Sequence, residues 1–357
     1  MNSICKAVKD GKVKDLVDAI MENPKLIDIP NDDGWTLMYI AALHGHAPII
    51  EMLVQLGSTT IDTPSNHGWT PMYAAAENGH VSVIETLVRL ESTAIDTPDN
   101  DAWTPMHIAA LNGHTSVIET LVRLGSTVID THGNDGWTPM YIAALNGHVA
   151  VIETLVQLGS TAIDTPVYNG ITPMHVAAEN GHATVIETLV RLGSMSIDTI
   201  VDSGVTPMYA AVESGHISVI ETLVRLGSQV IDTPDDFGGT PMHTAAFHGN
   251  PLVIEALVRF GSAAIDTPNK HNWTPTLIAS IYDHREFVAI LHYLGATLTD
   301  SHSLEYDENK AMEVRQRVYF HRSLVSRCLF HLEVKFSTNY MVSCLELRQD
   351  WCTQDHR

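Results

Sequence analysis

At 357 residues and 45% apolar, the chain is long enough for two or three ordinary domains or one repeat array, and its composition is that of a folded protein. Its formal charge of −22 falls within residues 1–300, where 12 Lys and Arg stand against 34 Asp and Glu, while residues 301–357 hold 8 of each. An acidic surface of that size repels phosphate backbones and anionic lipid heads and favours basic partners, which speaks against nucleic-acid binding.

The N-terminus spreads lysines and aspartates among its apolar residues and has neither the core of a secretory signal nor the composition of a transit peptide. No apolar run approaches the ~18 residues that span a bilayer. The four cysteines (Cys5, Cys328, Cys344, Cys352) lie outside the central region and fit no disulfide framework, so a reducing, cytoplasmic location is expected. Residues 1–30 read as a capping half-unit of the pattern that follows. Ala7-Val8-Lys9-Asp10-Gly11 matches the end of a first helix, Lys12 to Met21 matches a second, and lysines replace apolar or neutral positions. Asn23 stands where later units have a helix-stopping Gly, a place where Asn is the next-best residue.

From residue 31 the chain repeats itself. A Thr recurs every 34 residues at Thr36, Thr70, Thr104, Thr138, Thr172, Thr206, Thr240 and Thr274. An Ile-Asp pair keeps the same step from Ile27-Asp28 to Ile265-Asp266, so seven units fill 31–268. In each unit Thr-Pro opens a short helix, because the hydroxyl can cap free N–H groups and Pro suits the first helical position. The helix ends at Asn-Gly, where Gly accepts a left-handed conformation. A second helix follows, exemplified by Val81 to Leu90, with Val83, Ile84, Leu87 and Val88 on one face and Ser82, Glu85, Thr86 and Arg89 on the other. Glu85/Arg89, Glu119/Arg123, Glu187/Arg191, Glu221/Arg225 and Glu255/Arg259 have the favourable i,i+4 order, predicting exposed pairs within each helix. The Asp-, Pro- and Gly-rich stretch between Ile61 and Thr70 reads as a projecting hairpin loop. Glu91 replaces the Gly that stops the second helix in other units, at a cost of about 1 kcal/mol if the left-handed backbone is kept.

Residues 269–300 form a degenerate copy and read as a C-terminal capping repeat, with Asp283 for Gly and Thr276 for Met. Residues 301–357 contain no Gly or Pro and leave the repeat. Ala311, Val314, Val318, Val325, Leu329 and Leu332 are spaced for one face of a helix over roughly 307–335.

A period of 34 also suits repeats built from two long helices, so the contents of the unit decide. The string T-P-M-H-x-A-A-x-x-G-H, present at Thr104 to His114, resembles the ankyrin signature, and the resemblance covers residues 1 to 300. It implies an all-α solenoid of helix-turn-helix units joined by hairpin loops, with one residue more than the usual 33 in Gly-Ser-Thr-x-Ile-Asp. It further implies a monomeric, non-catalytic scaffold that binds another protein in a concave groove. The residue before Thr is, in this family, an exposed position facing the groove. Here it is Trp35, Trp69, Trp103, Trp137, Ile171, Val205, Gly239 and Trp273. The position after Ala-Ala lies on the same side and holds Leu43, Glu77, Leu111, Leu145, Glu179, Glu213 and Phe247. Aromatic anchors interspersed with carboxylates suit a partner with a basic or mixed basic and apolar surface. The competing account is that the indoles stack on neighbouring hairpins and stiffen the array.

Other chemistry finds little support. Nine of the 20 histidines occupy the Gly-His or Pro-Met-His positions, where the resemblance assigns them hydrogen bonds to turns and backbone, and neighbouring copies stand too far apart to share a zinc ion. In the tail, Cys328, His331, Cys344, Cys352 and His356 match no zinc module. Acidic turns such as Asn134-Asp135-Gly136 lack the closing Glu of a calcium loop. Phosphate-binding, nucleophile-elbow, zinc-protease and kinase motifs are absent, so neither enzyme activity nor a cofactor is expected. An adaptor or effector role carried by the tail is the alternative.

Overall fold

The computed structural model describes residues 2–296; the helix expected over 307–335 lies outside them. Among the described residues there are α-helices and 3-10 turns and no strand. Each repeat supplies a seven- or eight-residue inner helix, such as Pro71–Glu77, and a nine-residue outer helix, such as Val81–Arg89. Inner helices pack on inner helices and outer on outer along the array. Helices this short are unstable in isolation, so their stability comes from the neighbouring copy.

Local chemistry sets the ends of the inner helix. Thr36, Thr70, Thr138, Thr206 and Thr274 accept a hydrogen bond from the backbone N–H three residues on. Where that third residue is His, at 107, 175 and 243, its ring also accepts from the backbone N–H of the Thr and closes a capping box. The following Gly is held both by conformation and by space. Gly45 has φ +77°, and a Cβ there would lie 2.8 Å from the ring of His80 in the next repeat. That ring donates through Nε2 to the carbonyl of Leu43 at 3.1 Å, since a carbonyl can only accept. His46, His114, His148, His182 and His284 make the same bond to Lys9, Glu77, Leu111, Leu145 and Phe247. The Gly-His pair is thus a joint between repeats.

The core is the inner helix and one side of the outer. Met72, Ala74, Ala75, Ala76, Val83, Ile84 and Leu87 are fully buried, each large one contributing about 1.5–3 kcal/mol. Thr86, placed on the outer face by its spacing, is buried, as are Thr120, Thr154, Thr188 and Thr222. The reason is tertiary: copies flank the outer helix on both sides, leaving a narrow exposed stripe through Ser82, Glu85 and Arg89.

The expected intrahelical ion pairs are replaced by pairs between repeats. Arg89 binds Glu51, Arg123 binds Glu85 at 2.6 Å, Arg191 binds Glu153, Arg225 binds Glu187, and Arg259 stands 3.9 Å from Glu221. A guanidinium on a long stem spans the ~8–10 Å between parallel neighbouring helices. A second ladder joins the loops. Ser58, Ser92, Ser126, Ser160, Ser194, Ser228 and Ser262 donate to Asp28, Asp62, Asp96, Asp130, Asp164, Asp198 and Asp232 at 2.5–2.6 Å.

Asn23 departs from expectation. Its φ is −143°, extended rather than left-handed, because Pro24 follows it and disfavours helical geometry before the ring. Glu91 and Asp283 do keep the left-handed backbone of the glycines they replace, at φ 68° and 58°.

Candidate functional site

The hairpin loops carry the tryptophans. Each loop closes on itself, as where Asp99 N–H donates to Trp103 O and Asp99 Oδ1 accepts from Trp103 N–H and Asp101 N–H. Burial pushes the Asp99 carboxyl up against the downward pull of these bonds. Successive loops also bond to each other: Asn66 N–H to Asp33 O, Asn100 N–H to His67 O, and Asn134 N–H to Asp101 O. The tips therefore form one continuous row.

The position before Thr is less exposed than the resemblance implies. Trp103 and Trp137 are buried, at 7% and 4% exposure, and Ile171 and Val205 are buried with them. Trp35, Trp69 and Trp273 are half-buried. The cause is the neighbouring hairpin. Trp69 Nε1 donates to Asp99 at 3.3 Å and Trp103 Nε1 to Asp135 at 3.1 Å, while the Trp103 and Trp137 rings lie 6.2 Å apart. Gly133 makes room for this: a Cβ there would lie 2.7 Å from the Trp103 ring. Four of the indoles also pack on their own inner helices: Trp35 on Tyr39 at 5.2 Å, Trp69 on Tyr73 at 6.2 Å, Trp103 on His107 at 5.9 Å and Trp137 on Tyr141 at 5.3 Å. The stacking account thus has direct contacts, and accessible indole surface is concentrated at Trp35, Trp69 and Trp273.

The position after Ala-Ala closes the inner helix. Leu145 is buried, and Leu43, Glu77, Leu111, Glu179, Glu213 and Phe247 are half-buried. Glu179 and Glu213 occupy this place in successive repeats. Burial, with a further contribution from the Glu213 charge, pushes the Glu179 carboxyl up to about 8. Phe247 meets Tyr282 of the following repeat edge-on at 4.7 Å.

The buried histidines of the first helical turn are structural. Thr104 N–H donates to His107 Nδ1 at 3.1 Å, and Nε2 donates to Trp137 O at 3.2 Å, which specifies a neutral ring. Burial pushes His107 and His175 down to about 4. Among the described residues no group of three or more His, Cys, Asp or Glu is placed to hold a metal ion.

Two sets of residues escaped the sequence reading. The Ser–Asp ladder was legible as two residue types present in every unit but reads locally as turn chemistry. Tyr168, Ile200 and Phe237 stand exposed along the hairpins of the later repeats, signalled only by departure from the common unit.

The family of this arrangement is settled by comparison with known families. The model for ankyrin repeats in three copies matches residues 4–99, 89–164 and 158–233, and the model for ankyrin repeats in many copies matches 208–260. The chain belongs to the ankyrin repeat family. Ankyrin repeats are typically non-catalytic modules that mediate protein–protein interaction. The ankyrin array is similar to the crystal structure of the human ASB11 ankyrin repeat domain, with 24% identity and a TM-score of 0.57 over 65% of this chain and 100% of that one. At that identity the likeness shows the fold alone. No curated protein matches the chain. Within the described residues no helix is long and apolar enough to cross a membrane.

Proposed function

We propose that this ankyrin array is a monomeric, cytoplasmic, non-catalytic scaffold that binds a partner protein on the face formed by its inner helices and hairpins. The observation that carries the reading is the segregation of charge. Between residues 31 and 269 the only Lys or Arg residues are Arg89, Arg123, Arg191, Arg225 and Arg259, each the last residue of an outer helix and each beside a Glu of the preceding repeat. The inner-helix and hairpin face therefore offers Glu77, Glu179, Glu213 and the hairpin aspartates, with Leu43, Leu111, Phe247 and the half-buried Trp35, Trp69 and Trp273 among them. Carboxylates orient a basic partner and apolar side chains supply its burial. The like charge of two such arrays opposes self-association.

The test is carbodiimide footprinting of the full chain alone and with proteins retained by affinity capture. Protection is expected at Glu77, Glu179, Glu213 and Asp101, with Glu85, Glu119 and Glu187 on the outer helices still labelled. Protection confined to the outer helices, or micromolar retention on DNA at physiological salt, overturns the reading.

A further inference from the structure

Asn-Gly occurs five times in the chain, at Asn78, Asn112, Asn146, Asn169 and Asn180. In this dipeptide the backbone nitrogen that follows the asparagine can attack its side chain most easily, because Gly has no Cβ to shield it. Four of the five close inner helices and are held there. Asn78, Asn112, Asn146 and Asn180 donate through Nδ2 to the carbonyls of Ala74, Ile108, Ile142 and Val176 at 2.8–3.0 Å. The glycine after each sits against a histidine of the next repeat. A Cβ on Gly79, Gly113, Gly147 or Gly181 would lie 2.8–3.1 Å from the ring of His114, His148, His182 or His216.

Asn169 is placed differently. It is exposed at the tip of the fifth repeat's hairpin, in the left-handed region at φ 65° and ψ 16°. Its side chain makes no hydrogen bond among the described residues. A Cβ on Gly170 would meet nothing closer than Val201 at 3.6 Å.

The backbone torsion does not separate the five sites. ψ is 3–7° at the four helix ends and 16° at the tip, so each Asn-Gly peptide has to turn before its nitrogen faces the side-chain carbon. What separates them is what that turn breaks. At a helix end it breaks the Nδ2 bond and drives the glycine against the histidine that joins two repeats. At the tip it breaks Gly170 N–H to Val167 O at 3.2 Å and strains Asp202 N–H to Asn169 O at 3.4 Å, both in a loop.

We propose that Asn169 is a site of spontaneous covalent modification, where this chain converts an asparagine to aspartate and isoaspartate. The Gly170 nitrogen gives its proton to a base in the solvent and attacks Cγ of Asn169. The new N–Cγ bond closes a cyclic imide, and the side-chain nitrogen leaves as ammonia. Water then opens the ring without any change of oxidation state. Cleavage of N–Cγ gives aspartate; cleavage of the bond between the nitrogen and the main-chain carbonyl carbon gives isoaspartate, with the chain routed through Cβ. Aspartate suits the hairpin, since Asp33, Asp101 and Asp135 hold this place in other repeats. Isoaspartate displaces the carbonyl that accepts from Asp202 N–H. Either product adds a negative charge to the tip.

The experiment incubates the full chain at mildly alkaline pH, folded and in urea, and follows each Asn-Gly site by peptide mapping with mass spectrometry. Enzymatic methylation of isoaspartate counts that product. Each folded rate is divided by the rate of the same site in urea, which removes the effect of flanking sequence. Asn169 is expected to keep a relative rate about tenfold or more above that of each helix-end site. Gly170→Ala borrows the residue of the equivalent tip, where Ala102 has φ 63°. It is expected to suppress reaction at Asn169 while thermal melting stays close to that of the parent chain. A relative rate at Asn169 no higher than at the four helix ends overturns the proposal, as does an undiminished rate in Gly170→Ala.

Discussion

Trp69 and Trp103 hold the same place in successive repeats, yet one is half-buried and the other buried by the hairpin that follows. The difference separates scaffolding from contact at single-residue level. Trp103→Ala should cost about 3 kcal/mol or more of stability, as truncation of a buried aromatic does. Trp69→Ala should cost clearly less and show its effect in partner binding. Denaturant midpoints beside affinities for a captured partner check this, and equal midpoint losses would show that burial does not govern the row. His107 supplies a pH test. Its ring titrates near 4 when folded against an ordinary 6.5, so between those values the unfolded chain binds more protons. The stabilisation from keeping it neutral is complete above pH 6.5 and is lost as pH falls toward 4, by up to about 3 kcal/mol. His107→Tyr, the residue found at Tyr73 and Tyr141, should therefore reduce the loss of stability between pH 7 and pH 5 in urea titrations.

Between elements, two ladders run along the array and differ in strength. Asp96 accepts from Ser126 Oγ at 2.6 Å, from Thr127 N–H at 3.0 Å and from Thr127 Oγ1 at 3.1 Å. The Ser126 bond is charged and partly buried, while the two Thr127 bonds are exposed and water can replace them, so Asp96→Ala should cost about 1.5 kcal/mol. The Arg123–Glu85 pair is exposed on both sides, and surface pairs contribute about 0–1 kcal/mol. Arg123→Gln, the residue already present at Gln55 and Gln157, should leave the melting temperature nearly unchanged at any salt concentration. A melting loss for Arg123→Gln as large as that for Asp96→Ala would reverse this ranking of the ladders.

At the scale of the array, stability propagates from repeat to repeat, and we propose that the first and last units act as caps. The N-terminal half-unit places Lys6, Lys12 and Lys14 in solvent, and the last described helix, Arg285–Tyr293, has exposed Arg285, Glu286 and His292. A chain cut to residues 31–268 exposes the apolar sides of Ile49, Ile50 and Leu53 at one end and of Val253, Ile254 and Leu257 at the other. It should melt earlier and precipitate at concentrations where residues 1–300 stay in solution. Equal melting and equal solubility would show that the terminal units are not caps.

Much of this was readable before any coordinates. Thr-Pro starts, Asn-Gly and Gly-Ser stops and the apolar spacing of Val83, Ile84 and Leu87 are local instructions, since caps, turns and helical faces depend on residues within a few positions of each other. Repetition every 34 residues then dictated that each unit stack on a copy of itself. What the period could not say is which atoms meet across the step. Thr86 reads as exposed until a second outer helix covers it, Arg89 reads as a partner for Glu85 until Glu51 comes within reach, and Trp103 reads equally as an exposed residue or a stacked one until the next hairpin closes over it. Each depends on the offset and twist between repeats, a property of packed surfaces that is not encoded in any single unit. The candidate surface divides the same way: its residue types are written in the sequence, while their burial and the joining of the tips into one row were decided by the stacking of the repeats.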